Sequence, residues 1–270
     1  MQNFKMDFHV HSHFSPDSPS PMALMIESAI AKGITDIAFT EHMDFDSDQR
    51  SDVKNWVFDF DSYFTKVQEM QLKYPKIKLY RGVEIGLQSH VADKNRKVIS
   101  ENQFDFAIGS LHMVDGQDIY YSDLFETHSE KEAVWRYYEC YYENLKAFSN
   151  FNVLGHLDMY LRYTDKAHDL AFSTYSDVVE SLLKSAIEKG IGIEVNAGGY
   201  RYGLGHNNPK RDILELYHSL GGEIITLGSD AHKPDSIGAA YEENCALLQA
   251  IGFKYLCVFE KQKPIFKPFF

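Results

Sequence analysis

Nine residues able to hold a metal ion recur along the chain: His9, His11, Asp17, His42, Glu84, His112, His156, Asp230 and His232. Nearly all of them close an apolar run. Imidazole and carboxylate are the ligand types that bind zinc, iron or manganese. Buried together they are costly unless a cation neutralises and orders them. His9 and His11 alternate along one extended run, and Asp230 and His232 along another, so each pair turns two side chains to one face. A histidine taken singly is more often a packed or surface residue, and His13, His90, His128, His168 and His218 are read that way. Nine such groups at the ends of successive runs instead predict a polynuclear metal centre, and with it metal-dependent hydrolysis.

The elements that must position these groups show as pattern. Runs at 5–12, 34–42, 77–86, 106–113, 152–158, 191–198 and 223–232 are apolar first and polar last. Their continuous apolar character predicts strands buried on both faces, as in a parallel sheet. Helical spacing joins Val134, Tyr138, Tyr141, Leu145 and Phe148 within 129–149, and Val179, Leu182, Leu183, Ala186 and Ile187 within 176–189. Gly33, Gly190, Gly221 and Gly252 stand where helices would end in left-handed caps. Alternating strands and helices predict β/α units with right-handed crossovers. Seven polar strand ends need one meeting place, which favours a barrel with its site at the C-terminal mouth. The closing KYLCVFEKQKPIFKPFF reads as one further strand followed by an apolar tail on the barrel. The polar connection 43–58 is expected to form a lid, and Tyr137, Tyr138, Tyr141 and Tyr142 to be core.

Composition narrows the partners. With 270 residues, 44% of them hydrophobic, the chain can bury a large core, and one domain over 1–270 is expected. Against 39 acidic residues stand 27 basic ones, a net of -12, with no Lys/Arg-rich run. Nucleic acid is thereby disfavoured as a partner, since its phosphates are bound through clustered cations. A small anionic substrate is not, because metals and a few arginines reverse the sign locally. Cys140, Cys245 and Cys257 are too scattered for a disulfide framework or a thiolate zinc site. No stretch reaches the roughly 18 apolar residues of a membrane span. A cytoplasmic protein away from membranes is expected.

His9-Val10-His11, Thr40-Glu41-His42, Glu84, Gly109-Ser110-Leu111-His112, Gly155-His156-Leu157-Asp158 and Gly228-Ser229-Asp230-Ala231-His232 follow one another along the whole chain. In this the sequence resembles the polymerase and histidinol phosphatase (PHP) family. The resemblance implies an α/β fold, a distorted seven-stranded (β/α) barrel of the PHP type holding three divalent ions of zinc, iron or manganese. It implies that His9, His11, Glu84 and Asp230 hold the first ion and that Glu84 bridges to a second held by His112 and His156. Asp17, His42 and His232 would hold the third; some members place a histidine where Asp17 stands.

Within the family, Arg162 and the segment from Glu194 to Gly238 are most similar to the histidinol-phosphate phosphatases. This implies a phosphomonoesterase of histidine biosynthesis that converts L-histidinol phosphate to L-histidinol and phosphate. Arg162 and Arg201 match the positions that hold phosphate, and the planar guanidinium fork suits two phosphate oxygens. Water acidified between the ions that Glu84 bridges is the expected nucleophile. The leaving group's proton is expected from Asp230, from His206 in the Gly-rich loop beside Arg201, or from water on the third ion. Asp158 is expected to orient a ligand histidine or to cap a turn, and Asp44 and Asp46 to meet the cationic end of the substrate. Two alternatives stand beside this reading: a PHP phosphoesterase acting on phosphotyrosine or nucleotides, and a non-catalytic metal-binding domain, which would be expected to have lost some of the nine ligands.

Overall fold

The computed structural model describes residues 4–48, 50–51, 55–121 and 123–269. Seven parallel strands form its centre: β1 (Met6–Val10), β2 (Asp36–Met43), β3 (Lys78–Gly86), β4 (Phe106–Ser110), β5 (Val153–Leu154), β6 (Gly192–Asn196) and β7 (Ile225–Gly228). Each pairs with the next in chain order. The first and last strands then meet: Val10 bridges Ala231, the His11 amide donates to the Ala231 carbonyl at 2.9 Å, and the Asp230 amide donates to the His9 carbonyl at 2.8 Å. The sheet is thus a nearly closed barrel. Every residue of β1, β4, β6 and β7 is buried, the condition for which unbroken apolar runs are required.

Helices α1 (Met22–Ala31), α2 (Phe60–Lys73), α3 (Ala92–Glu101), α4 (Glu130–Ala147), α5 (Ser176–Glu188), α6 (Arg211–Ser219) and α7 (Tyr241–Ile251) surround it. α4 starts at a capping box between Ser129 and Glu132 and buries Val134, Tyr137, Tyr138, Tyr141 and Leu145. The expected packing holds for Tyr137, Tyr138 and Tyr141, whereas Tyr142 is half-buried at the edge of the core, and the Tyr141 hydroxyl reaches the carbonyls of Gly109 (2.7 Å) and Gly155 (2.9 Å) at the ends of β4 and β5. Gly33, Gly190, Gly221 and Gly252, after α1, α5, α6 and α7, all take left-handed φ.

Two elements differ from expectation. The run at 152–158 supplies only two residues of strand; at Gly155, whose amide still donates to the Gly109 carbonyl at 3.0 Å, a Cβ would lie 2.4 Å from the Ser110 hydroxyl. The closing segment is an antiparallel hairpin of β8 (Tyr255–Glu260) and β9 (Lys263–Pro268), not a strand and a tail. Leu256 to Phe259 of β8 are buried, with Phe259 5.0 Å from Phe106, whereas no residue of β9 is fully buried. The prolines of β9 lack amides and are tolerated at such an edge. Within 43–58, residues 49 and 52–54 lie outside the described residues; Asp44 and Trp56 on either side of them form an antiparallel bridge. Among the described residues no helix is long and apolar enough to cross a membrane.

Candidate metal centre

The register of β1 shifts between Asp7 and Val10, an irregularity of the kind that re-aims side chains at barrel rims. His9 and His11 consequently place their rings 5.1 Å apart, and His11 stacks on His42 at 4.3 Å and on His232 at 4.2 Å. Glu84 of β3 lies at the centre. Its Oε2 is 3.2 Å from His9 Nε2, 3.5 Å from His11 Nε2 and 2.9 Å from His42 Nδ1. Its Oε1 is 3.2 Å from His112 Nε2 and 2.9 Å from His156 Nε2. Asp230 Oδ1 stands 3.8 and 3.7 Å from the Nε2 atoms of His9 and His11, and Asp17 Oδ2 stands 2.9 and 3.5 Å from those of His232 and His42. The barrel thus brings all nine sequence candidates to its mouth. Asp230 does so in left-handed backbone (φ 55°), which a short polar residue tolerates.

The hydrogen bonds say which nitrogen faces the centre. His9 Nδ1 lies 2.6 Å from Glu194 Oε1 and His112 Nδ1 2.8 Å from Asp44 Oδ1; a carboxylate only accepts, so Nδ1 carries the hydrogen in both. His232 Nδ1 likewise donates to the Asp230 carbonyl at 3.1 Å. His11 Nδ1 meets the Ser15 hydroxyl at 2.9 Å, whose own hydrogen goes to Glu41 at 2.7 Å, so this Nδ1 donates as well. Four neutral rings would therefore aim bare Nε2 lone pairs at carboxylate oxygens. Such acceptors repel unless a cation stands between them, and the Nε2 atoms of His9, His11 and His232 are buried without hydrogen-bond partners. Two ligands about 2.1 Å from one ion at a tetrahedral angle lie roughly 3.4 Å apart, the spacing found here. The donor set fits divalent metal.

The titration behaviour follows from the same crowding. Burial opposes charge on His9, yet Glu194, Glu84 and Asp230 raise its pKa well above the ordinary value. For His112 burial is outweighed by Asp44 and Glu84, which push it up to about 10. His11, surrounded by apolar burial and by His232 and His42, is pushed well down. Burial would raise Glu84, but His9, His42 and His112 hold it far below the carboxylate range. Around His9 and His112 the carboxylates favour positive charge on the ring, as they would favour a bound cation.

Arg162 and Arg201 line the same cavity, of about 800 Å³. Arg162 Nη1 donates to Asp230 Oδ2 at 2.8 Å, and Arg201 Nη2 to the Asp230 carbonyl at 2.6 Å. Burial opposes ionisation of Asp230, but His9, Arg162 and Arg201 keep its carboxyl far below the usual range, so it holds charge rather than a proton to donate. His206 does not line the cavity; its Nδ1 donates to the Asn207 carbonyl at 2.7 Å, in a loop where Gly203 and Gly205 both take left-handed φ. Asp46 is exposed and pairs with His90 at 2.7 Å, while Asp44 supports His112. Asp158 neither orients a ligand histidine nor caps a turn: its oxygens accept from Asn208 Nδ2 at 2.6 Å and the Lys210 amide at 2.8 Å. Sequence reasoning missed the role of Glu194, which bonds His9 and accepts from the His156 amide at 3.0 Å. Its place in the apolar run 191–198 was the available signal.

A parallel β/α barrel whose mouth gathers buried histidines and carboxylates beside arginines is the build of a metal-dependent hydrolase. The PHP domain model matches residues 7–198, and the chain belongs to that family. Histidinol-phosphatase from Lactococcus lactis subsp. lactis is 30% identical over 270 residues, covering 96% of each chain. A Clostridium acetobutylicum protein named "Probable histidinol-phosphatase" is 30% identical over 249 residues, covering 89% of this chain and 94% of its own. The crystal structure of histidinol phosphate phosphatase from Lactococcus lactis subsp. lactis, complexed with zinc, L-histidinol and phosphate, superposes with a TM-score of 0.86 at 28% identity, over 97% of this chain and 98% of that one.

Proposed function

We propose that this chain is a cytoplasmic phosphomonoesterase that hydrolyses L-histidinol phosphate to L-histidinol and phosphate, a step of histidine biosynthesis. The observation that carries the reading is the set of buried Nε2 atoms facing Glu84, Asp230 and Asp17, carboxylates that line one cavity with two arginines. His9, His11, Glu84 and Asp230 would hold one ion, Glu84, His112 and His156 a second, and Asp17, His42 and His232 a third, drawn from zinc, iron and manganese. When bound, such ions neutralise phosphate charge and lower the pKa of water from about 15.7 to about 7. Glu84 spends one oxygen on each side of the cluster, so it sets the spacing on which the others depend. Arg162 and Arg201 would gather the charge left on the phosphate. His206 would serve as acid only after its loop brings the ring to the cavity, which it does not line.

Farther out, Trp56, Tyr120, Tyr163 and Tyr202 line the cavity together with Asp118. Aromatic faces and a carboxylate suit a cationic amine and an imidazole. Assay of the purified protein on a phosphomonoester panel tests the proposal: kcat/KM for histidinol phosphate should exceed that for phosphotyrosine and nucleotides by at least about tenfold, or roughly 1.4 kcal/mol. Equal rates across the panel would replace it with a general phosphatase.

A further inference from the structure

We infer that Asn208 and Asn196 are positioning residues that lock Arg162 into one orientation for phosphate, an inference that rests on the phosphomonoesterase reading above. Arg162 is almost wholly buried, its side chain 4% exposed. Each of its nitrogens meets one protein acceptor at 2.8 Å: Nε donates to Asn208 Oδ1, Nη2 to Asn196 Oδ1 and Nη1 to Asp230 Oδ2. A guanidinium has five N–H groups. One therefore remains on each terminal nitrogen, available to an anion in the cavity.

An asparagine can present either its oxygen or its NH₂, and only the oxygen holds an arginine. Both amides here are turned the right way by a carboxylate at their far end. Asn208 Nδ2 donates to Asp158 Oδ1 at 2.6 Å, and Asn196 Nδ2 to Glu194 Oε2 at 3.1 Å. Since carboxylates only accept, both amide oxygens must face Arg162. The two asparagines are also joined through their backbones, by amide-to-carbonyl bonds of 2.7 and 2.9 Å, and both are completely buried. Gly198 leaves the room: a Cβ there would lie 2.5 Å from Arg162 Nη2.

Asp158 gives this arrangement its point. It is a fully buried carboxylate bonded to Asn208 and to the Lys210 amide and to none of the nine candidate ligands, and burying it is costly. Orienting the amide that faces Arg162 is the return on that cost. Arg201 has no such frame; it donates to the backbone carbonyls of Ser229 and Asp230 and its side chain is 29% exposed.

The test is calorimetric binding of inorganic phosphate to the metal-loaded protein, with metal content measured on the same samples. It compares Asn208→Leu, Asp158→Asn, Arg162→Ala, and Asn208→Leu combined with Arg162→Ala. Asn208→Leu and Asp158→Asn should each weaken phosphate binding by about tenfold with metal retained, and Asn208→Leu should add nothing once Arg162 is alanine. Asp158→Asn keeps the volume of the side chain, and it decides the matter if Asn208→Leu does not fold. Unchanged phosphate affinity in both single variants, or an equal further loss in the Arg162→Ala background, would overturn the inference by making Asn208 a general brace. Wild-type affinity in Arg162→Ala would overturn this inference and the phosphate role of Arg162 together, whereas a loss confined to Arg162→Ala would overturn this inference alone.

Discussion

The two sides of the cavity are finished in opposite ways. On the metal side, the Nε2 atoms of His9, His11 and His232 are buried without hydrogen-bond partners and face carboxylates. On the arginine side, every nitrogen of Arg162 already meets a protein acceptor at 2.8 Å. The first side needs a cation from outside the chain to neutralise it; the second is held in one orientation by the chain itself, with one N–H left on each terminal nitrogen of Arg162. Loss of a residue should therefore fail differently on each side, with ions lost in one case and retained in the other.

The largest effect is expected where the metal side converges. Glu84 lies within 3.5 Å of nitrogens from five histidines, so Glu84→Gln weakens several ligand pairings at once. Elemental analysis of the wild type should approach three ions per chain. Glu84→Gln should lose more than one of them and reduce kcat by about 10³-fold or more, whereas Asp17→Asn should lose only one. A fully active preparation containing a single ion would remove the distinction between central and outer ligands.

On the arginine side the loss should be smaller and leave the metal in place. Arg162→Ala is expected to reduce kcat/KM by roughly 10²-fold to 10³-fold with full metal content, in line with the loss of a charge-stabilising donor. Arg201→Ala should cost less, because Arg201 is partly exposed and its terminal nitrogens are engaged with the Ser229 and Asp230 carbonyls. Lysine at position 162 should recover only part of the activity, since a point charge cannot reproduce a planar fork. Metal loss in Arg162→Ala, measured by elemental analysis, would instead make the two sides one unit joined through Asp230.

The same contrast separates what was legible in the sequence from what was not. His9 and His11, or Asp230 and His232, can be read because a strand's period of two places neighbouring letters on one face. The groups that orient them cannot, because the barrel brings them from far along the chain: Glu194 reaches His9 across 185 positions, and Asp44 reaches His112 across 68. Asp44 and Asp158 were visible as acidic residues near motifs, but only the fold shows that one holds a histidine and the other an asparagine. The barrel was legible from its buried runs, whereas the closing hairpin was not. In β9 alternating Lys, Pro, Ile and Phe give a half-exposed edge strand the same letters as a loose tail.

The smallest effect concerns the protons that stand in for cations. Burial opposes charge on His112, but Asp44 at 2.8 Å and Glu84 at 3.2 Å raise its pKa to about 10. A group whose pKa rises on folding binds its proton more tightly in the folded state. The stabilisation is fully present below the unfolded histidine value of about 6.5 and fades as pH climbs through about 10. Chelator-treated protein should accordingly lose thermal stability between pH 7 and pH 10. His112 should account for part of that loss, read as a lower melting temperature at pH 10 than at pH 7. Other raised histidines, His9 and His42, add to the same slope, so Asp44→Asn is needed to isolate the share of His112. That variant should flatten the dependence without abolishing it. Metal-loaded protein should not show the decline, because bound ions take the place of the protons and metal affinity rises as the ligands deprotonate. A melting temperature independent of pH in the chelator-treated wild type would mean that the metal side is as complete without cations as the arginine side, and the comparison between them would fail.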